Sequence, residues 1–379
     1  MNRYHLVFVL YALLSAGGIM PLMAQHMKWL NPEKDDRVVI QGQLWQDTSH
    51  IGSYQRLPLA AKGLVRDKVW DLSKNAAGLY IRFRSDARIV QVRYALKDRL
   101  SLNHMPATGV SGVDLYALDA SDQWQWARGI YKTLRNDTVL VSFDTLESHL
   151  VKEYRLYLPL YNTINWLEIG VDASAGFEPV KNAPGRIVVY GTSIAQGASA
   201  SRAGMAWTAI LNRRLNTPVV NLGFSANGTL DPEIVRLFAD KEAQLFILDC
   251  LPNLTVFGED EVRTKLIEAA RLIRAQHKHT PIIFTEHADA TIWLLNADKQ
   301  QSFIRINQVM KDVFETLKTH IDNIYLLTAE EIGLDINSTT DGVHPSDLGM
   351  MKYADAYERL IRRILREKRK DALGALQTY

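Results

Sequence analysis

Three residues of this sequence have the types that acyl chemistry through a hydroxyl requires: Ser193, Asp341 and His344. Ser193 stands in Gly191-Thr192-Ser193-Ile194, directly after the apolar run Ile187-Val188-Val189-Tyr190. A serine at the end of a buried strand is lifted onto the strand-to-loop turn, where a substrate can reach it. The small Gly191 relieves crowding at that turn. Far downstream, Asp341-Gly342-Val343-His344-Pro345 precedes a helical pattern, and Pro345-Ser346 is a natural helix start. The imidazole can take the hydroxyl proton, and the carboxylate can orient the imidazole. An attacking hydroxyl, a base and an orienting carboxylate are the parts of serine hydrolysis.

Ser193 stands 148 residues before Asp341 and 151 before His344, so a scaffold must gather them. Residues 187–190, 219–222, 245–248, 282–284 and 324–327 are short apolar runs. Between them, Val262, Leu266, Ala269 and Ile273 keep helical spacing, as do Phe303, Ile306, Met310, Val313 and Leu317. Strands alternating with helices imply a parallel sheet covered on both faces. Ligands of such sheets sit beyond the carboxyl ends of the strands. Ser193, Ala226 and Asn253 each lie just past one run, and His344 follows the last, so four groups converge on one rim. Glu286-His287 ends a further run on that rim and is a candidate for lining the pocket.

The first half has a different period. Leu79, Ile81 and Phe83 alternate with Tyr80, Arg82 and Arg84; after Ser85-Asp86-Ala87, Val90, Val92, Tyr94 and Leu96 alternate again. This pattern predicts a hairpin, and the half as a whole, residues 27–173, a β-sandwich. Trp45, Trp70, Trp124 and Trp126 lie in it; an indole can stack on a sugar ring, but the core is the expected place for at least two. Residues 174–185, with Gly176, Pro179, Pro184 and Gly185, form the expected linker, and residues 186–379 the second domain.

Composition excludes several classes. The net charge of +2 argues for neither nucleic acid nor an acidic partner. Residues 1–24 carry Arg3 and His5, a short apolar core and small residues after it, which predicts an export signal rather than an uncleaved anchor. Cys250 is the single cysteine, so there is no intrachain disulfide and no lipid-bearing cysteine near the signal. A periplasmic or secreted protein without a stable membrane anchor is expected. Cys250 itself reads as a small core residue. No Cys/His cluster has zinc spacing. His277 and His279 read as solvated ends of a helix. Arg362, Arg363, Arg366, Lys368, Arg369 and Lys370 read as a solvated face. Nothing in the sequence fixes the oligomeric state.

From Arg186 to Leu365 the chain resembles the SGNH (GDSL-like) hydrolases. The closest likeness is to the subgroup whose N-terminal β-sandwich carries a Gly-x-Asp-Leu-Tyr motif, here Gly112-Val113-Asp114-Leu115-Tyr116. Tyr190 to Gly197, Ser201 to Trp207 and Asn221 to Gly228 are similar to that subgroup's nucleophile and second-block segments. The resemblance implies a flavodoxin-like α/β/α domain after a jelly-roll-like sandwich. It makes Ser193 the nucleophile, His344 the base and Asp341 its orienting partner. It places the oxyanion hole at the Ser193 and Ala226 N–H groups and the Asn253 side-chain amide, with no metal or organic cofactor. Three positions depart from the pattern. Thr192 replaces the aspartate of Gly-Asp-Ser. Ala226 replaces the second-block glycine, with Gly223 the alternative if the register differs by three. Leu251-Pro252-Asn253 replaces Gly-x-Asn. Relatives of this kind are mostly esterases, so the expected activity is removal of acyl groups, foremost acetyl, from an acylated carbohydrate. A lipid esterase or thioesterase is the alternative among enzymes. A catalytically dead carbohydrate-binding protein is the alternative outside them.

Overall fold

Continuous apolar runs become strands buried on both faces. In the computed structural model, Val219–Gly223, Ile187–Gly191, Leu245–Asp249, Ile282–Thr285 and Ile324–Leu327 form one parallel sheet in that spatial order. The structure describes residues 26–35, 37–45, 54–134, 138–144, 146, 150–181, 184–288 and 295–376. The expected export signal, residues 1–24, lies outside them. Every residue of the first four strands is buried, which is why no alternation shows in the sequence. Successive side chains serve opposite faces. Val189, Ile247 and Ile283 pack with Trp207, Ile210, Tyr353 and Tyr357 of the helices Trp207–Leu215 and Asp347–Leu376. Val188, Phe246 and Ile282 pack with the helices Pro232–Ala239, Glu259–Gln276 and Ala297–Leu317. The result is a three-layer α/β/α domain. Its strand order, 2-1-3-4-5, is flavodoxin-like, and the order reverses between Ile187–Gly191 and Leu245–Asp249.

The first half is a sandwich of two antiparallel sheets. One runs Met27–Leu30, Ile164–Asp172, Val90–Leu96, Thr138–Phe143, Ile130–Thr133; the other runs Glu178–Pro179, Tyr80–Ser85, Lys152–Tyr157, Asp114–Leu118, Trp124–Ala127. Ile81, Phe83, Val90, Val92, Leu156 and Ile169 fill the space between the sheets. The hairpin expected across Ser85-Asp86-Ala87 does not form. Tyr80–Ser85 pairs with Lys152–Tyr157, whereas Val90–Leu96 pairs with Ile164–Asp172 in the opposite sheet. Both strands alternate because each buries one face, and alternation does not name the partner. The Ser85 hydroxyl donates to the Gly176 carbonyl and accepts from the Ala87 N–H, holding the chain where it crosses between sheets.

Residues 57–73 leave the sandwich. A 3-10 turn, Leu59–Ala61, and a short helix, Asp67–Ser73, place Leu57, Ala61, Val65 and Val69 in the apolar cluster of the α/β domain. Contacts between the halves are buried and polar as well. Arg155 donates to the Asn212 side-chain oxygen (2.7 Å) and carbonyl (3.1 Å). Asp114 accepts from Arg202 (2.6 Å), the Gly204 N–H (3.0 Å) and Trp126 Nε1 (2.6 Å), and Tyr116 bonds the same Arg202. The Gly112–Tyr116 segment therefore fastens the sandwich to the loop that follows Ser193. Among the described residues no helix is long and apolar enough to cross a membrane.

Candidate active site

Ser193 opens a four-residue helix, Ser193–Gln196, directly beyond the strand Ile187–Gly191. Thr192 caps that helix: its hydroxyl accepts from the Ile194 N–H at 3.3 Å. The residue that departs from Gly-Asp-Ser thus performs a capping task open to threonine. Ser193 Oγ lies 2.8 Å from His344 Nε2, and His344 Nδ1 lies 2.7 Å from Asp341 Oδ2. The carboxylate beside Nδ1 places the ring proton there and leaves Nε2 as the acceptor for the serine hydroxyl.

The spacing Asp-Gly-x-His has a local cause. Asp341 Oδ1 accepts from the Val343 N–H (3.0 Å) and the His344 N–H (2.8 Å), closing a turn in which Gly342 adopts φ +85°. That left-handed conformation favours glycine. The Thr340 N–H then donates to the His344 carbonyl. The same aspartate therefore builds the turn with one oxygen and orients the ring with the other. Burial raises the Asp341 carboxyl, but hydrogen bonds from the His344 amide and ring and the Val343 amide outweigh it and hold the group below its ordinary value.

The second block supplies the oxyanion candidates. Between residues 223 and 228, the N–H of Gly223 goes to Asn221 Oδ1, Phe224 to the Gly191 carbonyl, Ser225 to Gln196 Oε1, Asn227 to the Phe224 carbonyl and Gly228 to Asn253 Oδ1. Among the described residues the Ala226 N–H alone in this stretch has no partner. Ala226 is exposed and sits at φ +56°. The alternative donor, Gly223, is committed to Asn221. Because Gly228 donates to Asn253 Oδ1 at 3.1 Å, the Asn253 Nδ2 is left as a donor for a ligand. The Ser193 N–H, in the first turn of its helix, has no partner among the described residues either. The blocks meet closely: a Cβ on Gly228 would lie 2.1 Å from the Gly191 carbonyl oxygen. Ala226 and Asn253 together line a cavity of about 520 Å³, with Arg66, Asp231, Phe257 and Lys265.

Several nearby residues carry no signal in the sequence. His104, from the sandwich, stacks on His344 with ring centroids 5.2 Å apart, and its carbonyl accepts from Ser199, which in turn accepts from Thr340. Tyr161 donates to the Ser193 carbonyl at 3.3 Å. Buried Arg56 donates to the Gly223 (2.6 Å) and Asn221 (3.2 Å) carbonyls. Lone histidines and arginines inside a β-patterned half give no hint of this.

Other sequence candidates lie elsewhere. His287 is buried against Phe303, and its backbone is paired with Asn307. Glu286 is buried and accepts from the Ala329 N–H. Neither is among the residues that line the cavity beside Ala226 and Asn253. His277 is buried rather than solvated: its Nε2 bonds the Ala239 carbonyl at 2.9 Å and its ring packs on Phe246. Cys250 is a core residue. Trp45 is buried, whereas Trp126 is half exposed at the sandwich surface. Among the described residues no group of three or more His, Cys, Asp or Glu could hold a metal ion.

Comparison with known proteins follows the same division of the chain. Residues 185–362 match the model of the GDSL-like lipase/acylhydrolase family, and residues 27–177 match the GxDLY model for the N-terminus of SGNH-hydrolase-type esterases. The chain is similar to the crystal structure of a GDSL-like protein from Bacteroides ovatus, with 31% identity over 90% of this chain and 98% of that one and a TM-score of 0.81. It shares its fold with the salicylyl-acyltransferase SsfX3 of a tetracycline biosynthetic pathway (20% identity, 89% and 97% coverage, TM-score 0.70). It also shares it with a family two carbohydrate esterase from Cellvibrio japonicus (11% identity, 90% and 98% coverage, TM-score 0.57). No curated protein matches.

Proposed function

Since this chain belongs to the GDSL-like lipase/acylhydrolase family, we propose that it is an exported serine esterase that removes acyl groups, foremost acetyl, from a polysaccharide or its oligosaccharides. The observation that carries the reading is the chain of contacts from Ser193 Oγ to His344 Nε2 to Asp341 Oδ2. Ser193 Oγ attacks the ester carbonyl carbon while its proton passes to His344 Nε2. The carbonyl π pair moves onto oxygen, and the oxyanion accepts from the Ser193 and Ala226 N–H groups and Asn253 Nδ2. Collapse breaks the C–O bond to the sugar, and His344 returns the proton to the leaving alcohol. Water then repeats the sequence on the acyl-enzyme, releasing the acid and restoring Ser193. Asp341 favours the imidazolium that forms twice along this path. Each oxyanion donor contributes about 3–4 kcal/mol to the transition state.

The cavity beside Ala226 and Asn253 is lined both by charged Arg66, Asp231 and Lys265 and by apolar Pro252, Val256 and Phe257. That mixed lining suits the apolar and hydroxyl faces of a sugar ring, and its charged groups interrupt the continuous apolar groove that a long acyl chain needs. A carbohydrate esterase is among the proteins that share the fold. Export rests on the leader-like residues 1–24.

The test is acetate release from a panel of acetylated polysaccharides, beside p-nitrophenyl acetate, with Ser193→Ala as the control. Release from at least one polymer, lost in the variant, is expected. A preference for long-chain p-nitrophenyl esters would make this a lipid esterase. Polysaccharide binding with no hydrolysis of any ester would make it a binding protein.

A further inference from the structure

The Ala226 donor is held in an unfavourable conformation. A non-glycine residue at φ +56° persists only where its surroundings over-determine it. Here the surroundings are identifiable. Asn227 spans Ala226: its Nδ2 donates back to the Ser225 carbonyl at 2.7 Å, and its Oδ1 accepts from Arg66 Nη1 at 2.7 Å. Arg66 Nη2 donates to the Asn227 carbonyl (3.1 Å) and to Thr229 Oγ1 (2.9 Å), and Nε donates to Asp231 Oδ2 (2.9 Å). The guanidinium thus takes one acceptor after another along residues 227–231. A planar fork with fixed donors suits this task better than an ammonium does.

Arg66 does not belong to this loop or even to the α/β half of the sequence. It precedes the helix Asp67–Ser73, whose segment is seated by buried Val65 and Val69 in the α/β domain's cluster. The clamp is therefore anchored from outside the element it holds. We propose that Arg66 is the positioning residue for the Ala226 oxyanion donor, acting through Asn227. The proposal rests on the serine-esterase reading above. Without Arg66 the Asn227 amide loses the partner that fixes its orientation, and the N–H of Ala226 is free to drift. A displacement of about 1 Å in a reacting geometry typically costs on the order of 100-fold in rate.

The experiment uses the full chain with p-nitrophenyl acetate as substrate and a phenylboronic acid as a tetrahedral-adduct mimic. Arg66→Ala is expected to lower kcat about 10- to 100-fold with KM changed by less than about threefold, and to weaken the boronic acid by a similar factor. Asn227→Ala is expected to do the same, with the double variant no worse than the poorer single, because the two act as one unit. Arg66→Lys, which retains the charge and fewer of the bonds, should fall between and serves where Arg66→Ala does not fold. Three results overturn the proposal: kcat within about threefold of wild type in the folded variants, a raised KM at unchanged kcat, or losses that multiply in the double variant. The second would make Arg66 a substrate contact. Ser193→Ala, assayed alongside, separates the premises. If it retains wild-type activity the esterase reading falls and this one with it; if it is inactive, the Arg66 results judge the clamp alone.

Discussion

Asp341 serves two ends with its two oxygens, and this explains why the base and its partner sit three residues apart. One oxygen closes the turn on the Val343 and His344 amides; the other faces His344 Nδ1. If Ser193, His344 and Asp341 share one step, their losses cannot add. Ser193→Ala is expected to lower kcat on the order of 10⁶-fold, His344→Ala by as much, and the double variant scarcely more. Steady-state rates for the three proteins check this, and multiplied losses would rule out a shared step. Asp249 gives a prediction of another kind. It ends the central strand Leu245–Asp249, is fully buried, and neither carboxyl oxygen has a hydrogen-bond partner among the described residues. Burial pushes it up from 3.8 to about 7, and the nearby Tyr357 hydroxyl draws it back only in part. The folded state then holds a proton that the unfolded state releases near 3.8. The stability this proton confers is full below that value and is lost as pH rises through about 7. Asp249→Asn is expected to differ least from wild type in Tm at the lowest pH where both fold, and to gain on it progressively as pH rises from about 4 to about 7. A gap between the two proteins that does not widen with pH would show that Asp249 ionises freely in the fold. Ser193, Asp341, His344 and Asn253 were legible because motif and spacing name them together. Asp249 was not, since an aspartate at a strand end looks like any turn residue until its neighbours are known.

At the scale of elements, parallel strands were legible and strand partners were not. Residues 187–190 and 245–248 are uninterrupted apolar runs because helices cover both faces. The strands Tyr80–Ser85 and Val90–Leu96 alternate in the same way whether they pair with each other or lie in opposite sheets, so the hairpin was misread. The helix Asp67–Ser73 spans only seven residues, too few for a helical period to stand out in sequence. What joins the elements at the site is close backbone approach. The loop carrying Ala226 presses on the turn before Ser193 at Gly228, where a Cβ would meet the Gly191 carbonyl oxygen at 2.1 Å and the Thr192 nitrogen at 2.9 Å. Both contacts are backbone and cannot rotate away. Gly228→Ala is therefore expected to push the two oxyanion segments apart, lowering kcat by about 100-fold or more and Tm as well. The paired measurement is p-nitrophenyl acetate turnover and thermal unfolding; wild-type values for both would mean that the loop can shift at no cost.

The whole molecule is less divisible than its two sequence patterns suggest. The expected linker, residues 174–185, pointed to a short reach between halves, but Glu178–Pro179 within it is a sandwich strand paired with Tyr80–Ser85, and nothing in the sequence showed how much core the halves share. Leu44, Leu57, Ala61, Val65 and Val69 lie in one apolar cluster with Val220, Phe224 and Phe238, and Tyr80, Tyr116, Tyr157 and Leu160 lie in another with Ile194, Trp207 and Ile210. Polar groups cross the same boundary: Arg56 to Gly223, Arg155 to Asn212, Asp114 to Arg202, and Asn75 to Gln196. Gln196 in turn holds the Ser225 N–H beside Ala226. Cutting the chain before residue 184 would expose apolar faces of the α/β domain and leave the Asn212 side chain and the Gly223 carbonyl without their buried donors. Each buried polar group left unsatisfied costs about 1–3 kcal/mol, against a total stability of roughly 5–15 kcal/mol for a typical domain. A chain of residues 184–379 is therefore expected to be insoluble or to unfold without a cooperative transition, and to hydrolyse neither polymer nor p-nitrophenyl acetate. Adding residues 26–181 as a separate chain should recover activity only where the two associate, which size-exclusion chromatography and the esterase assay read together. A truncated protein that unfolds cooperatively and turns over p-nitrophenyl acetate at the full-length rate would show that the α/β half completes the site by itself, and that the sandwich contacts to the Ser193 and Ala226 loops are dispensable for chemistry.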